Sequence, residues 1–248
     1  MKQYEECCNY RLPRRLPLIL RLDGRAFHSW TKKSHCARPF DEALMKLMAE
    51  TTRFLCENIS GCVFGYTQSD EISLLLRDDR TSDTAPWFDK RVQKIVSISA
   101  AMATCFFNEN NPYEKKFPAY FDSRVFALPE EEIRSYFIWR QNDASKNSLS
   151  MLAQSLYSHE ELMHRQREEL MDMCWRKGFN WNDLPTAKKR GFAVWRRPVT
   201  VNGKLGPVER MRFVIDEDIP IFSAESCTLF DSPALRGDRT SASADADR

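Results

Sequence analysis

The sequence predicts an α+β fold, an antiparallel βαββαβ sheet of the ferredoxin-like type, followed by a mostly helical C-terminal part. Three observations predict it. Short apolar runs of strand length recur at residues 17–22, 62–66, 72–76 and 120–126. Apolar residues at helical spacing fill the intervals between the first and second runs and between the third and fourth. The second and third runs are separated only by a short polar stretch, Gln68-Ser69-Asp70, which suits a hairpin.

Each element has its own justification. Pro17-Leu18-Ile19-Leu20-Arg21-Leu22 reads as a mostly buried strand. Phe40, Leu44, Leu47, Met48, Phe54 and Leu55 then recur with a helical period. Pro39 punctuates the entry of that helix, and Asp41 and Glu42 sit where its dipole favours acids. Cys62-Val63-Phe64-Gly65-Tyr66 and Ile72-Ser73-Leu74-Leu75-Leu76 are the hairpin strands. After a loop rich in Asp, Ser, Thr and Pro (78–86), residues Val92, Ile95, Val96, Ser99, Met102, Cys105 and Phe106 mark a second long helix. Tyr120-Phe121-Asp122-Ser123-Arg124-Val125-Phe126 closes the series as a fourth strand.

From Pro129 the pattern becomes helical, through Ile133, Tyr136, Phe137 and Arg140, then 147–156, then Leu162 to Cys174. Gly191-Phe192-Ala193-Val194-Trp195 and Met211-Arg212-Phe213-Val214-Ile215 form a late hairpin. The expected organisation is a sheet domain over 1–128, a helical part with that hairpin over 129–222, and a disordered tail over 223–248 with little to bury.

Composition narrows the classes. The chain has 248 residues, 42% of them hydrophobic, and a formal net charge of +2. No apolar stretch approaches the roughly 20 residues of a membrane span. Residues 1–6 are too polar for a secretory signal, so a soluble, cytoplasmic protein is expected. The eight cysteines include no CxxC pair, and with only four histidines as partners they are expected to be reduced and structural. Basic pairs recur at Arg14-Arg15, Lys32-Lys33, Lys90-Arg91, 188–190 and Arg196-Arg197, which allows a surface that tracks phosphates.

The chemistry is carried by acids at strand ends. In the ferredoxin-like order the first and third strands lie side by side and antiparallel, so the end of one abuts the start of the other. Asp23 and Asp70 then converge at one sheet edge with Glu71 beside them. Two neighbouring carboxylates repel unless a cation lies between them. Mg²⁺ takes oxygen ligands and shares itself between one or two carboxylates and substrate phosphates. Phosphoryl or nucleotidyl transfer is the corresponding reaction class. Gly24 allows a close backbone approach, the amides from Gly24 to His28 can cradle phosphates, and His28 can donate to a triphosphate oxygen. Lys94 and Arg124 are candidate triphosphate clamps. Salt-bridged or capping acids and solvated surface cations are the structural alternatives at these positions.

These residues give the chain a resemblance to the tRNA-His guanylyltransferase family, including its branch of guanylyltransferase-like 3′→5′ polymerases. It runs through 21–28 (Arg-Leu-Asp-Gly-Arg-Ala-Phe-His), Ala37-Arg38-Pro39-Phe40-Asp41, Tyr66-Thr67-Gln68-Ser69-Asp70-Glu71, Phe121-Asp122-Ser123-Arg124-Val125 and Trp139-Arg140-Gln141-Asn142-Asp143. The resemblance implies a polymerase-palm-like catalytic domain that adds nucleotides to a tRNA 5′ end. ATP, sometimes GTP, activates the 5′-monophosphate, and the 3′-hydroxyl of an incoming nucleoside triphosphate then attacks. It further implies Asp23, Asp70 and Glu71 as catalytic acids, with two Mg²⁺ held by Asp23, the Gly24 carbonyl and Asp70. Nucleotide contacts would come from Asp23, Gly24, Arg25, Ala26, Phe27, His28, Arg38, Asp41, Ser69, Asp70, Lys94 and Arg124, and the assembly would be a homo-tetramer.

Members dedicated to tRNA-His carry a His-Ile-Asn-Asn stretch after the Trp-Arg-Gln motif. That register reads Ser145-Lys146-Asn147-Ser148 here. The departure favours templated repair of 5′-truncated tRNA, with addition of one 5′ guanosine to tRNA-His as the alternative. A non-catalytic ferredoxin-like RNA-binding module is the reading from another class. Such modules stack bases on aromatics of the central strands, and 18–20 and 72–76 offer none. A nucleotidyl cyclase on the same architecture would leave the long helical half without a purpose.

Overall fold

In a computed structural model, residues 1–79, 84–114, 116–203, 206–223, 228–232 and 235 are described. In chain order they form α1 (Lys2–Glu6), β1 (Leu18–Gly24), α2 (Phe27–Lys33), α3 (Glu42–Asn58), β2 (Cys62–Gln68), β3 (Glu71–Leu76), α4 (Val92–Glu109) and β4 (Phe121–Ala127). There follow α5 (Glu130–Leu156), α6 (His159–Leu162), α7 (Arg167–Arg176), α8 (Thr186–Arg190), β5 (Phe192–Gly203) and β6 (Gly206–Asp216). No helix among them is long and apolar enough to cross a membrane.

The strands make one six-stranded sheet in the order β4-β1-β3-β2-β5-β6, antiparallel throughout. The first four are the βαββαβ core expected from the sequence. The late hairpin does not stand apart in the helical half: β5 pairs with β2 from Phe64↔Trp195 to Thr67↔Phe192 and extends the same sheet.

Strand alternation sorts residues between two layers. Leu18, Leu20 and Leu22 of β1, with Ile72, Leu74 and Leu76 of β3, are at most 3% exposed. They face Leu47, Met48 and Leu55 of α3 and Ile95, Ala103 and Phe107 of α4. Burying each such aliphatic contributes about 1.5–3 kcal/mol. The opposite face carries Ile19, Phe64, Tyr66 and Leu75 against Ile133, Tyr136 and Phe137 of α5. Further toward the C-terminus α5 leaves the sheet, and Leu149 and Leu152 pack with Cys174 of α7 and Trp181 in a third cluster.

Local chemistry sets the helix entries. The Asp41 side chain caps α3 by accepting from the Leu44 amide at 2.8 Å. Thr51 and Thr52, buried in that helix, bond their hydroxyls back to the carbonyls of Leu47 and Met48. Glu130, Glu131 and Glu132 fill the first turn of α5, where the helix dipole favours acids.

Two expectations change. Lys90, read with Arg91 as a surface basic pair, is 1% exposed. Its Nζ donates to the carbonyls of Pro13 and Leu16 at 2.8 Å and pairs with Asp78 at 2.9 Å. These bonds fasten the N-terminal segment beneath the entry to α4. The tail also has something to bury: Phe230 and Leu235 join Phe222 on the α5 face of the sheet. Residues 224–227, 233–234 and 236–248 of that tail, Cys227 included, lie outside the described residues. The described cysteines are all free thiols.

Candidate active site

The two acids meet because of strand register. Asp23, near the end of β1, lies opposite Glu71 on β3 and Asp122 on β4. The Gly24 amide donates to the Asp70 carbonyl at 3.0 Å, and the Arg25 amide donates to the Tyr120 carbonyl at 2.8 Å. Between β2 and β3 the chain reverses through Ser69 at φ 52°, a left-handed turn that a two-residue hairpin connection needs. The Ser69 hydroxyl donates to Asp70 Oδ1 at 3.1 Å. Burial, and then the negative charge of Asp23, push the Asp70 carboxyl up to about 6. The convergence expected from topology is therefore present.

Glu71 is spoken for. Arg140 Nε and Nη2 donate to its two oxygens at 2.6 and 2.7 Å, and Arg21 Nη2 donates at 2.5 Å. Arg140 and Glu71 are 2% and 5% exposed. The sequence shows Arg140 in a Trp-Arg-Gln motif and Arg21 in a strand, with nothing that joins either to Glu71. The separation of 69 residues to Arg140 left nothing local to find. For Arg21 there was a usable signal: it stands two residues before Asp23, hence on the same sheet face.

The turn from β1 into α2 is built around Phe27. A Cβ added at Gly24 would lie 2.3 Å from the Phe27 ring, so only glycine fits there without displacement. Ala26 takes a left-handed φ of 54° and folds Phe27 back under the strand end. The Phe27 ring stacks on Trp30 at 5.2 Å and packs against Phe107 and Phe121. Arg25, Ala26 and His28 stay exposed.

Beside the acids opens a cleft of about 420 Å³. Of the sequence-predicted site residues, Phe27, His28, Arg38, Asp41, Ser69 and Asp70 line it. Its opposite wall is formed by α5 and α8, through Asn147, Ser148, Met151, Lys188 and Lys189. Asp41 shapes the wall by holding its loop. Oδ2 accepts from the Ala37 amide at 2.7 Å, and Oδ1 accepts from Tyr113 Oη at 2.6 Å as well as from Leu44. Burial works against its charge, yet the bonds from Tyr113, Leu44 and Ala37 hold its carboxyl below the ordinary value. Tyr113 was not anticipated from sequence.

Lys94 and Arg124 do not line the cleft. Lys94 Nζ lies 5.2 Å above the Phe88 ring. Arg124 pairs with Asp122 at 3.2 Å on the exposed sheet face.

The donor set suits a hard divalent cation. Asp23, Asp70 and backbone carbonyls offer oxygen only. Among the described residues no cluster of three or more His, Cys, Asp or Glu could hold a metal by itself. Mg²⁺, which retains waters and binds through one or two carboxylates plus substrate phosphates, fits that sparse arrangement.

Comparison with known proteins agrees with this geometry. Residues 1–129 match the family model described as tRNAHis guanylyltransferase. The tRNA(His) guanylyltransferase of Schizosaccharomyces pombe is 30% identical over 218 residues, covering 80% of each protein. A bacterial tRNA(His) guanylyltransferase-like protein in complex with ATP superposes with a TM-score of 0.81 and 42% identity, over 89% of this chain and 91% of that one. A structure of such a bacterial protein with GTP gives a TM-score of 0.74 and 41% identity, over 89% and 90%.

Proposed function

The chain belongs to the tRNA-His guanylyltransferase family and is therefore a nucleotidyltransferase, and from that premise we propose that it extends tRNA at the 5′ end, in the 3′→5′ direction. The observation that carries the reading is the convergence of Asp23 and Asp70, with Asp70 lifted by burial and by its neighbour's charge.

Two Mg²⁺ would be held by Asp23, Asp70 and the Gly24 carbonyl. Bound there, they would neutralise phosphate charge and steady the attacking and leaving oxygens. The cleft takes the nucleoside triphosphate, ATP or GTP for activation and any templated nucleotide for extension. His28 and Ser69 face its polar groups, and the Asp41-anchored loop carrying Arg38 encloses it. Arg124 and Lys94, which do not line the cleft, would meet phosphate only from outside it. In the first step an oxygen of the RNA 5′-phosphate attacks the α-phosphorus of ATP, and pyrophosphate leaves. In the second the 3′-hydroxyl of the next triphosphate attacks the activated 5′-phosphate, and AMP leaves. Glu71, locked between Arg21 and Arg140, would support the metal site by fixing the strand end that presents Asp23 and Asp70.

Templated repair of 5′-truncated tRNA is favoured over guanosine addition to tRNA-His. Support comes from the position that carries histidine in dedicated members, which here is Ser145 on α5. Nearby, Ser148 accepts from Trp181 Nε1 at 3.0 Å and donates to the Lys188 carbonyl at 2.6 Å. That stretch of helix thus serves to brace the cleft wall.

The test is extension of 5′-end-labelled, 5′-monophosphorylated tRNA with Mg²⁺, ATP and all four nucleoside triphosphates. Truncated tRNAs are expected to be extended to full length, and faster than full-length tRNA-His gains a guanosine. Addition to tRNA-His alone would establish the guanylyltransferase reading instead. No extension of any tRNA, with ATP or GTP converted to a cyclic product, would refute both. Light scattering of the purified protein would show the homo-tetramer expected for the family.

A further inference from the structure

Trp139 is a large aromatic that neither the core nor the cleft explains. It sits on α5 with 53% of its surface exposed, while Tyr136, Phe137, Arg140 and Gln141 around it are all at most 7% exposed. It does not line the cleft. The guanidinium carbon of Arg140 lies 4.4 Å from its ring centroid and that of Arg21 lies 5.7 Å away. Tyr136 meets it edge-on at 5.9 Å. Those two arginines are the ones that clasp Glu71, the cross-strand partner of Asp23.

The ring is therefore held rigidly beside the catalytic acids, on the same face of the sheet. Arg21 and Asp23 are two residues apart on β1, a rise of about 7 Å. Arg124, the exposed cross-strand partner of Arg21, lies on that face too. A preordered aromatic surface flanked by cations is the chemistry that receives a nucleotide: the base stacks on the ring and the phosphate meets the arginine. Which reactant it receives follows from position. Asp70 faces the cleft, whereas its neighbour Glu71 is tied to the arginines that contact Trp139. The nucleoside triphosphate occupies the cleft, so the platform serves the other reactant.

We propose that Trp139 is a stacking platform for the 5′-terminal base of the RNA substrate, with Arg124 beside it for the adjoining phosphate. This rests on the reading of the protein as a tRNA 5′-end nucleotidyltransferase. The experiment compares wild type, Trp139→Ala and Trp139→Phe at one fixed salt concentration. It measures affinity for a 5′-truncated tRNA with an intact terminal nucleotide, affinity for the same tRNA made abasic at that nucleotide, and affinity for ATP. Trp139→Ala is expected to bind the intact tRNA about 5- to 100-fold more weakly and the abasic tRNA as wild type does. Trp139→Phe keeps most of the affinity, and ATP binding is unchanged in both variants, which also reports that they are folded. Unchanged tRNA affinity in Trp139→Ala overturns the proposal. So does an equal loss on intact and abasic tRNA, which would mean that the ring only supports the Glu71 clasp. A loss on ATP instead of tRNA would assign the platform to the triphosphate and overturn it as well. If wild type neither binds nor extends any tRNA, the functional reading fails and the platform with it; wild-type extension together with a silent Trp139→Ala removes the platform alone.

Discussion

Asp70 is a carboxylate placed where its charge is disfavoured until a cation arrives. With burial and Asp23 raising it to about 6, the folded metal-free protein holds this proton more tightly than the unfolded chain does. Stability from this group is therefore present at low pH and lost as pH rises from the ordinary carboxylate range through about 6. Asp70→Asn removes the penalty while keeping the shape. In chelator, its melting temperature is expected to match wild type near pH 3, below the ordinary carboxylate range, and to exceed it at pH 7, and thermal scans at the two pH values measure the difference. Asp41 and Asp79, held below their ordinary values by hydrogen bonds that outweigh burial, act in the opposite direction in both proteins and cancel. A wild-type minus variant difference that is flat with pH would mean that neither burial nor Asp23 raises Asp70. The acids were legible in the sequence because each stands at the end of an apolar run, and strand order alone brings such ends together. Arg140 and Tyr113 were not: each acts through a partner about 70 residues away, and a single side chain gives no sign of such a partner.

At the scale of elements, α5 does two jobs with one continuous helix. Its first half closes over the sheet through Ile133, Tyr136 and Phe137, and its second half carries the far wall of the cleft. The joint between them and α8 is Ser148, 4% exposed, whose hydroxyl accepts from Trp181 Nε1 and donates to the Lys188 carbonyl. Ser148→Ala leaves a buried indole N–H and a carbonyl without that partner, a cost of about 1–3 kcal/mol. Because α8 also brings Lys188 to the cleft, the variant is expected to melt lower and to show a raised KM for the triphosphate with a nearly unchanged kcat. Steady-state kinetics at several ATP concentrations separate the two. A fall in kcat with KM intact would place Ser148 in the chemistry and not in the wall. The helical character of this half was readable from its period. The joint was not, since it depends on a tryptophan 33 residues away. The late hairpin was readable only at its base. Residues 191–195 and 211–215 are mostly apolar runs, whereas the strands run on to a Gly203↔Gly206 pairing through mostly polar residues.

The whole molecule is held by a sheet whose two faces are covered from different parts of the chain, and the C-terminal segment is the part that sequence pattern hid most. Its apolar residues are sparse and set among Ser, Asp and Pro, so no period emerges. Burial here is decided by where the chain returns and not by local amphipathicity. Phe230 is 8% exposed. Its ring stacks on Phe137 at 5.4 Å with an interplanar angle of 17° and meets Phe64 and Phe222 edge-on at 5.5 and 5.2 Å. It thus clamps α5 to β2, the strand that also receives β5 and so joins the core of the sheet to the late hairpin. Phe230→Ala is expected to cost about 3–5 kcal/mol, the range for emptying a buried aromatic site. For a chain of this length each kcal/mol lowers the melting temperature by roughly 2–4 °C, so calorimetry should find a drop of about 6–20 °C. Well below the new transition, tRNA extension is expected to proceed at the wild-type rate. Phe230 touches the layer behind Phe64 and Phe137 and none of the groups at the acids. A melting temperature within a degree or two of wild type would show that the C-terminal segment does not hold the sheet. A loss of activity at temperatures where the variant remains folded would show that the clamp on α5 reaches Asp23 and Asp70 through Arg140.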